Sequence, residues 1–454
     1  MKIINPATEA VITELKEDDA SSVKIKYEKL QKGRKKWAAL PVKDRLDTIV
    51  KFGDLVKQQA DDLARILSSE TGKPLAQAKG EVMGSLNRIT HLKANAEKWL
   101  APEVISSENG MEESIRYEAL GVIANISAWN FPYNVGYNVF LYALVSGNAV
   151  LYKPSEFASL TGLKFQELLW EAGVPEDVFI TAIGGGAVGE ALLELPIDAY
   201  FFTGSYRTGK YIAEKLAEKL VPVQLELGGK DPLYVADDVS DVKEAAENAA
   251  IGAFYNNGQS CCAVERIYVH EKIYDEFLSA FVESVKNYKV GDPTAEDTFL
   301  GPLTRRPQLQ VLRAQVEDAI KQGAKLECGG ERIKQKGYFF EPTVLSDVNH
   351  QMELMQEESF GPIIGIQKVK SDEEALELMQ DTDYGLTAAV FSKDKKRAEK
   401  LFEQLNTGTV YWNCCDRVSP NVPWSGRKKS GLGFTLSYLG IRAFVQPKAY
   451  HLKE

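Results

Sequence analysis

Residues 256–269, NNGQSCCAVERIYV, set two adjacent thiols, Cys261 and Cys262, behind a glycine and ahead of a stretch that reads as a β-strand. A cysteine becomes a nucleophile when a neighbouring group deprotonates it or stabilises its thiolate, and is otherwise a small apolar side chain. Histidine is the usual partner. Of the four histidines, His91, His270, His350 and His451, only His270 is near in sequence, and its place on an amphipathic strand suits packing or surface better than a dyad. A carboxylate is the alternative. Glu226 stands in LELGGK between Leu225 and Leu227, ahead of paired glycines. On an alternating strand it faces solvent; buried between apolar flanks, its pKa rises toward neutrality and suits a general base.

Metal chemistry is disfavoured. The cysteines at 261, 262, 328, 414 and 415 have neither disulfide-framework nor zinc spacing, and no two histidines stand at ligand spacing. The thiols are expected to be reduced. A formal charge of −10, with acids and bases mixed along the chain, offers no basic block for phosphates and excludes nucleic acid as a partner. The start, MKIINPATEAVITELKEDD, lacks a basic segment followed by an apolar one, and no apolar run approaches the ~20 residues of a membrane span. The expectation is a cytoplasmic protein with no membrane partner.

The elements that must position these groups follow from periodicity. With 454 residues and 44% hydrophobic content the chain can build two or three domains. Residues from about 20 to 100 repeat their apolar positions at three and four, as helices do, with a stop at Gly72 and Pro74. From Tyr117 onward, strand-like runs (GVIANISAW, NAVLYK, VFITAI, AYFFTGS) alternate with helical ones (SLTGLKFQELLWEAG, GKYIAEKLAEKL). That alternation predicts a doubly wound parallel sheet. A second alternating stretch from Asp231 to about Val410 predicts another α/β domain, and residues 102–118 and 441–454 read as extended arms.

Two glycine-bearing turns are candidates for an anion. GGGAVG, residues 184–189, places Gly184, Gly186 and Gly189 between a strand and a helix, but the following strand ends in Gly204 and Ser205, without the acidic residue that holds a ribose. FTGSYRTGK sets Thr203, Gly204 and Ser205 where a strand gives way to a helix N-terminus, which is either a phosphate site or a plain turn.

Taken together, the motifs resemble the aldehyde dehydrogenase superfamily over essentially the whole chain: NPATEAVI, ETGKP, AWNFP, GNAVLYKPSE, FTGS, LELGGKDP, GQSCCA, EESFGP and PWSGRKKSGLG occur in the family's order. The resemblance implies an α/β fold: a Rossmann-like NAD(P)-binding domain from residues 1–101 and 119–227, a second α/β catalytic domain from 228–426, and a small β oligomerisation arm from 102–118 and 427–454. It implies Cys261 as the nucleophile, with Cys262 a small buried neighbour, Glu226 as general base and Asn130 as oxyanion donor. An aldehyde would be oxidised to its acid by way of a thiohemiacetal and a thioester on Cys261.

The same resemblance assigns the cofactor to Trp129, Lys153, Ser155, Glu156, Gly186, Thr203, Gly204, Ser205, Glu358 and Phe360. A carboxylate at Glu156 favours NAD over NADP, since it would repel a 2′-phosphate. NADP stays possible. Tyr133, Tyr137, Asn138 and Trp424 fall at substrate-pocket positions and suggest an aromatic wall for an apolar, aromatic or cationic aldehyde. Relatives acting on succinate semialdehyde often carry arginine where this chain has Asn138, so that substrate loses its usual anchor unless Arg207 or Arg417 replaces it. An acylating enzyme, which usually lacks the glutamate, a thiol hydrolase and a non-catalytic relative are the competing readings. A homodimer or homotetramer is expected from the arms.

Overall fold

The computed structural model describes residues 1–453. A two-stranded antiparallel sheet, Lys2–Ile4 with Val11–Glu14, precedes five helices, Ala20–Ala38, Val42–Gln58, Ala60–Thr71, Leu75–Ser85 and Asn87–Trp99. Asp19 starts the first with a capping box, its carboxylate accepting from the Ser22 amide while the Ser22 hydroxyl accepts from the Asp19 amide. Gly72, at φ 81, ends the third.

The first large sheet has six strands in the order Gly431–Leu432, Val223–Glu226, Ala199–Thr203, Val122–Ile126, Ala149–Lys153 and Phe179–Thr181. All neighbours are parallel except the Gly431–Leu432 edge. Its central strands are buried on both faces, which is why they read as unbroken apolar runs. The chain leaves Val122–Ile126 for one edge through Ala149–Lys153, then returns to the other side with Ala199–Thr203. That reversal opens a crevice at the carboxyl ends of the strands, where open α/β sheets bind ligands.

The second sheet has seven strands, Lys325–Cys328, Thr343–Ser346, Ile363–Val369, Arg266–His270, Pro232–Val235, Thr387–Phe391 and Thr409–Trp412, with only the first pairing antiparallel. Glu103–Glu108, Met111–Ala119 and Val445–Lys453 form a separate three-stranded antiparallel sheet. Asn109 and Gly110, both at positive φ, make the tight turn of its hairpin.

This arm is smaller than expected at its C-terminal end. Residues 427–444 do not belong to it: Gly431 pairs with Glu226 in the first sheet, and Ser437–Arg442 is a helix. Ile441 and Phe444, three residues apart, bury completely, and Phe444 stacks on Phe201 with ring centroids 4.3 Å apart. Those anchors hold the segment in the core, and the free strand begins only at Val445.

Candidate active site

Cys261 is delivered by a loop of unusual backbone. After the Val242–Phe254 helix, Asn256, Asn257 and Gly258 all take positive φ (53°, 58° and 66°), a conformation that asparagine and glycine tolerate best. Gly258 has no alternative, because a Cβ there would sit 2.5 Å from the Gly361 carbonyl oxygen. Side chains pin the turn. Asn257 Nδ2 donates to the Gly301 and Pro302 carbonyls at 2.9 and 3.0 Å, and Gln259 Oε1 accepts from the Thr304 amide at 3.0 Å. Cys261 emerges half-buried on the wall of a cavity of about 280 Å³.

Cys262 also touches this cavity but is buried, its Sγ 3.1 Å from Asp416 Oδ1. The adjacent Cys261 thiol, burial and the Asp416 carboxylate hold the Cys262 thiol well above its usual range. Asp416 also accepts from Ser260 Oγ at 3.0 Å, and burial raises its own pKa.

Asn130 lines the same cavity, its Nδ2 donating to the Gln259 carbonyl at 3.1 Å on the nucleophile loop. Its backbone carbonyl accepts from Asn256 Nδ2 at 3.1 Å and from Lys73 Nζ at 2.8 Å. Lys73 is paired with Glu81, both side chains only 1% exposed, and lies 3.8 Å over the Phe131 ring. The second Glu81 oxygen accepts from the Tyr133 amide at 2.9 Å, at the N-terminus of the Pro132–Val145 helix. Glu70, from the same ETGKP stretch, accepts from the Leu160 and Thr161 amides where another helix begins. Both charged residues of that motif therefore turn inward, Lys73 onto the Asn130 carbonyl and Glu70 onto the start of the Ser159–Ala172 helix.

Glu226 ends its strand buried, 7% exposed, with Oε1 accepting from Gln224 Nε2 at 2.7 Å and Oε2 without a protein partner. Burial raises its pKa well above the carboxylate range, opposed by the Gln224 hydrogen bond. Trp424 lines the cavity. The paired glycines after Glu226 permit close packing: a Cβ on Gly229 would come within 2.9 Å of the Cys261 carbonyl oxygen, and one on Gly228 would strike the Glu358 carboxylate.

Several of the residues expected to hold a cofactor stand at the carboxyl ends of the first sheet's strands. Lys153 ends its strand buried, its Nζ donating to the Pro154 carbonyl at 3.2 Å, and burial lowers its pKa against the nearby charges of Glu156 and Glu17. Ser155 Oγ donates to Glu156 Oε2 at 3.2 Å. Gly186 opens the Gly186–Glu194 helix, which passes close to Lys153 at Gly189. Thr203 ends a strand beside Glu226, the Gly204 amide donates to the Glu226 carbonyl at 3.0 Å, and Ser205 caps the following helix. Trp129 meets Phe360 edge to face at 5.5 Å. Glu358 accepts from the Gly229 amide at 3.1 Å, and burial beside Glu265 pushes its carboxyl up to about 8. Glu265 in turn accepts from the Ser359 and Phe360 amides, both at 3.0 Å, and pairs with buried Lys230 at 2.7 Å. A strand-end crevice holding a ribose-type acid, a lysine and an aromatic pair fits a dinucleotide.

Tyr133 and Tyr137 do not line the cavity. Both are fully buried in an aromatic core with Phe52, Phe140 and Phe165. The reason is helical phase: with Pro132 at the start of the helix, positions 131, 134, 135 and 138 face the cavity, and 133, 137 and 140 face the core. Asn138 and Trp424 do line it, joined by Phe131, Asn134 and Tyr255. Arg207 and Arg417 are not among its lining residues. Lys73, Glu81, Arg88 and Asp416 were not singled out from the sequence as site residues. For Lys73 the signal was a charged residue inside a quoted motif.

A two-sheet α/β fold of this kind, with one open thiol beside a strand-end crevice, defines an oxidoreductase acting on aldehyde groups. The chain belongs to the aldehyde dehydrogenase family, whose model matches residues 1–450. It is 34% identical over 460 residues to the chloroplastic betaine aldehyde dehydrogenase of Beta vulgaris, covering 98% of this chain and 91% of that protein. It is 35% identical over 459 residues to the peroxisomal aminoaldehyde dehydrogenase 1 of Malus domestica, with the same coverage. Among solved structures, betaine aldehyde dehydrogenase from Staphylococcus aureus in complex with NAD+ superposes with a TM-score of 0.96 at 30% identity, covering 100% of this chain and 92% of that one. An NADP dependent enzyme of E. coli superposes equally, at 30% identity over 100% of this chain and 94% of that one.

Proposed function

We propose that this protein oxidises a small aldehyde to its carboxylic acid with NAD(P)+, by way of a thiohemiacetal and then a thioester on Cys261. The observation that carries the reading is the half-buried Cys261 thiol on the same 280 Å³ cavity as the Asn130 amide. The Cys261 thiolate adds to the aldehyde carbon. The Asn130 amide and the Cys261 backbone N–H donate to the oxyanion that forms. When a nicotinamide cofactor is bound, its ring would supply the hydride acceptor for the thiohemiacetal. Glu226, once deprotonated, takes a proton from the water that attacks the thioester, and Cys261 leaves as thiolate. The buried, unpartnered Oε2 of Glu226 supports that role.

Glu156 and Lys153 would hold the adenine ribose, and the Glu156 carboxylate favours NAD by repelling a 2′-phosphate. Glu358 and Phe360 would hold the nicotinamide end. The names of the plant relatives make a cationic aldehyde one substrate class to test. The arm is proposed to dock on a second copy in a homodimer or homotetramer, supported by exposed Val104, Ile105 and Leu452 on its strands.

The test is absorbance at the reduced-nicotinamide band with aliphatic, aromatic, amino and acidic aldehydes, each with NAD+ and then NADP+. Reduction that disappears in Cys261→Ala is the expected result. Silence across the panel, or activity that survives that substitution, would overturn the reading.

A further inference from the structure

Arg88, the second residue of the Asn87–Trp99 helix, lines the same cavity as Cys261 and is only 3% exposed. Its Nε donates to Asn138 Oδ1 at 2.9 Å and its Nη1 to Asn87 Oδ1 at 3.0 Å. Both partners are neutral. Nη2 has no hydrogen-bond partner, and no carboxylate stands within ion-pair distance of this guanidinium among the described residues. Nearby Glu81 is already committed, one oxygen to Lys73 and the other to the Tyr133 amide. Asp416 is engaged by Ser260 and Cys262.

Buried charges in proteins are paired, because desolvation without a counter-ion is costly. Lys73 obeys this rule on the neighbouring segment, and the buried Arg45 and Arg266 are satisfied instead by several backbone carbonyls each; Arg88 has neither a carboxylate nor a carbonyl of the backbone. Burial lowers the Arg88 pKa only to about 10, so the group is cationic at neutral pH.

We propose that Arg88, oriented by Asn138, is the anchor for a carboxylate carried by the substrate, so that the aldehyde oxidised at Cys261 is a short acidic semialdehyde. The inference rests on this cavity being the aldehyde site. It places the cation on a different helix from position 138, and Asn138 there serves to aim it. A single guanidinium matches the single charge and planar oxygens of a carboxylate better than a dianionic phosphate. A cavity of about 280 Å³, at the small end of the ~300–1,000 Å³ usual for ligand pockets, suits a short chain.

Two measurements test this. The first needs no turnover: alkylation of Cys261 by iodoacetamide, followed by peptide mass, with butyrate, its neutral isostere butyramide, or inorganic phosphate present. Protection by butyrate, none by butyramide, and loss of that protection in Arg88→Met are expected. Equal protection by butyramide, protection by phosphate alone, or no protection of the wild type would overturn the anchor, and these wild-type arms hold even if Arg88→Met fails to fold. The second is the ratio of kcat/KM for succinic semialdehyde over butanal. Arg88→Met should lower it on the order of 100-fold and Arg88→Lys restore part of it, whereas a purely structural arginine would leave the ratio unmoved. A wild type that prefers 4-aminobutanal would contradict the proposal. Butyrate protection with no turnover of any aldehyde would instead defeat the dehydrogenase reading and leave the anion site standing.

Discussion

On one side of Cys261 lies a crevice made by regular structure, with Lys153 and Thr203 at strand ends, Ser205 capping a helix and Gly186 starting one. On the other side lies a cavity assembled from four separate stretches, around residues 81–88, 130–138, 255–262 and 416–424. No single secondary element orders those stretches. Buried side chains do so instead: Lys73 bridges Glu81 to the Asn130 carbonyl, Asn256 ties that carbonyl to Gln259, and Asp416 holds Ser260 and Cys262. The backbone can position a cofactor by repeating a common pattern, whereas a substrate cavity depends on particular ionic and amide contacts whose loss has no local substitute.

That contrast can be broken from the cavity side first. Cys261→Ala should reduce turnover on the order of 10⁴-fold or more, to background in the nicotinamide assay, while the melting temperature barely moves, because the thiol is only half-buried. Glu226→Gln should slow the steady state by about 10²–10³-fold. Since burial raises the Glu226 pKa, the carboxylate forms only as pH rises past the ordinary carboxylate range, and wild-type kcat should climb with pH there; the Gln variant should lose that climb. The stability sign follows from the same shift. Folding favours protonated Glu226, so this contribution is present at low pH and is lost as pH rises through the raised value. At pH above that raised value, Glu226→Gln should therefore be at least as stable as wild type by calorimetry.

Lys73→Met removes one partner of a buried pair and should cost about 3–5 kcal/mol, read as a lower denaturant midpoint. The matching substitution in the crevice, Glu156→Ala, should cost little stability and raise KM for NAD+ by roughly 10-fold, which a charge-assisted hydrogen bond supplies. Equal destabilisation by Lys73→Met and Glu156→Ala would erase the distinction between the two regions.

The same distinction explains what could be read in the sequence. Strands such as Val122–Ile126 and Ala149–Lys153 are apolar throughout because helices cover both faces of the sheet, whereas the Asn109–Gly110 turn inside the first arm was not read from the sequence. The thiol was legible through the GQSCCA motif, while the positive-φ backbone that delivers it was not. The phase of the Pro132–Val145 helix was not, since a helix apolar on nearly every side carries no mark of which face meets a cavity, and Tyr133 and Tyr137 were placed on the wrong one. Lys73–Glu81 and Arg88–Asn138 escaped for another reason: their meaning lies in who pairs with whom in space. Ile441 and Phe444 likewise look like strand residues until the core that receives them is known.

The proposed route holds an acyl group on Cys261 and releases it through Glu226. The most direct test mixes Glu226→Gln rapidly with NAD+ and an accepted aldehyde, follows the reduced-nicotinamide band, and then digests the quenched protein for peptide mass. A burst of one reduced cofactor per subunit, a slow phase after it, and the acyl mass on the Cys261 peptide are predicted. An acyl mass on any other residue, or a variant whose steady state equals wild type with no burst, would contradict the account.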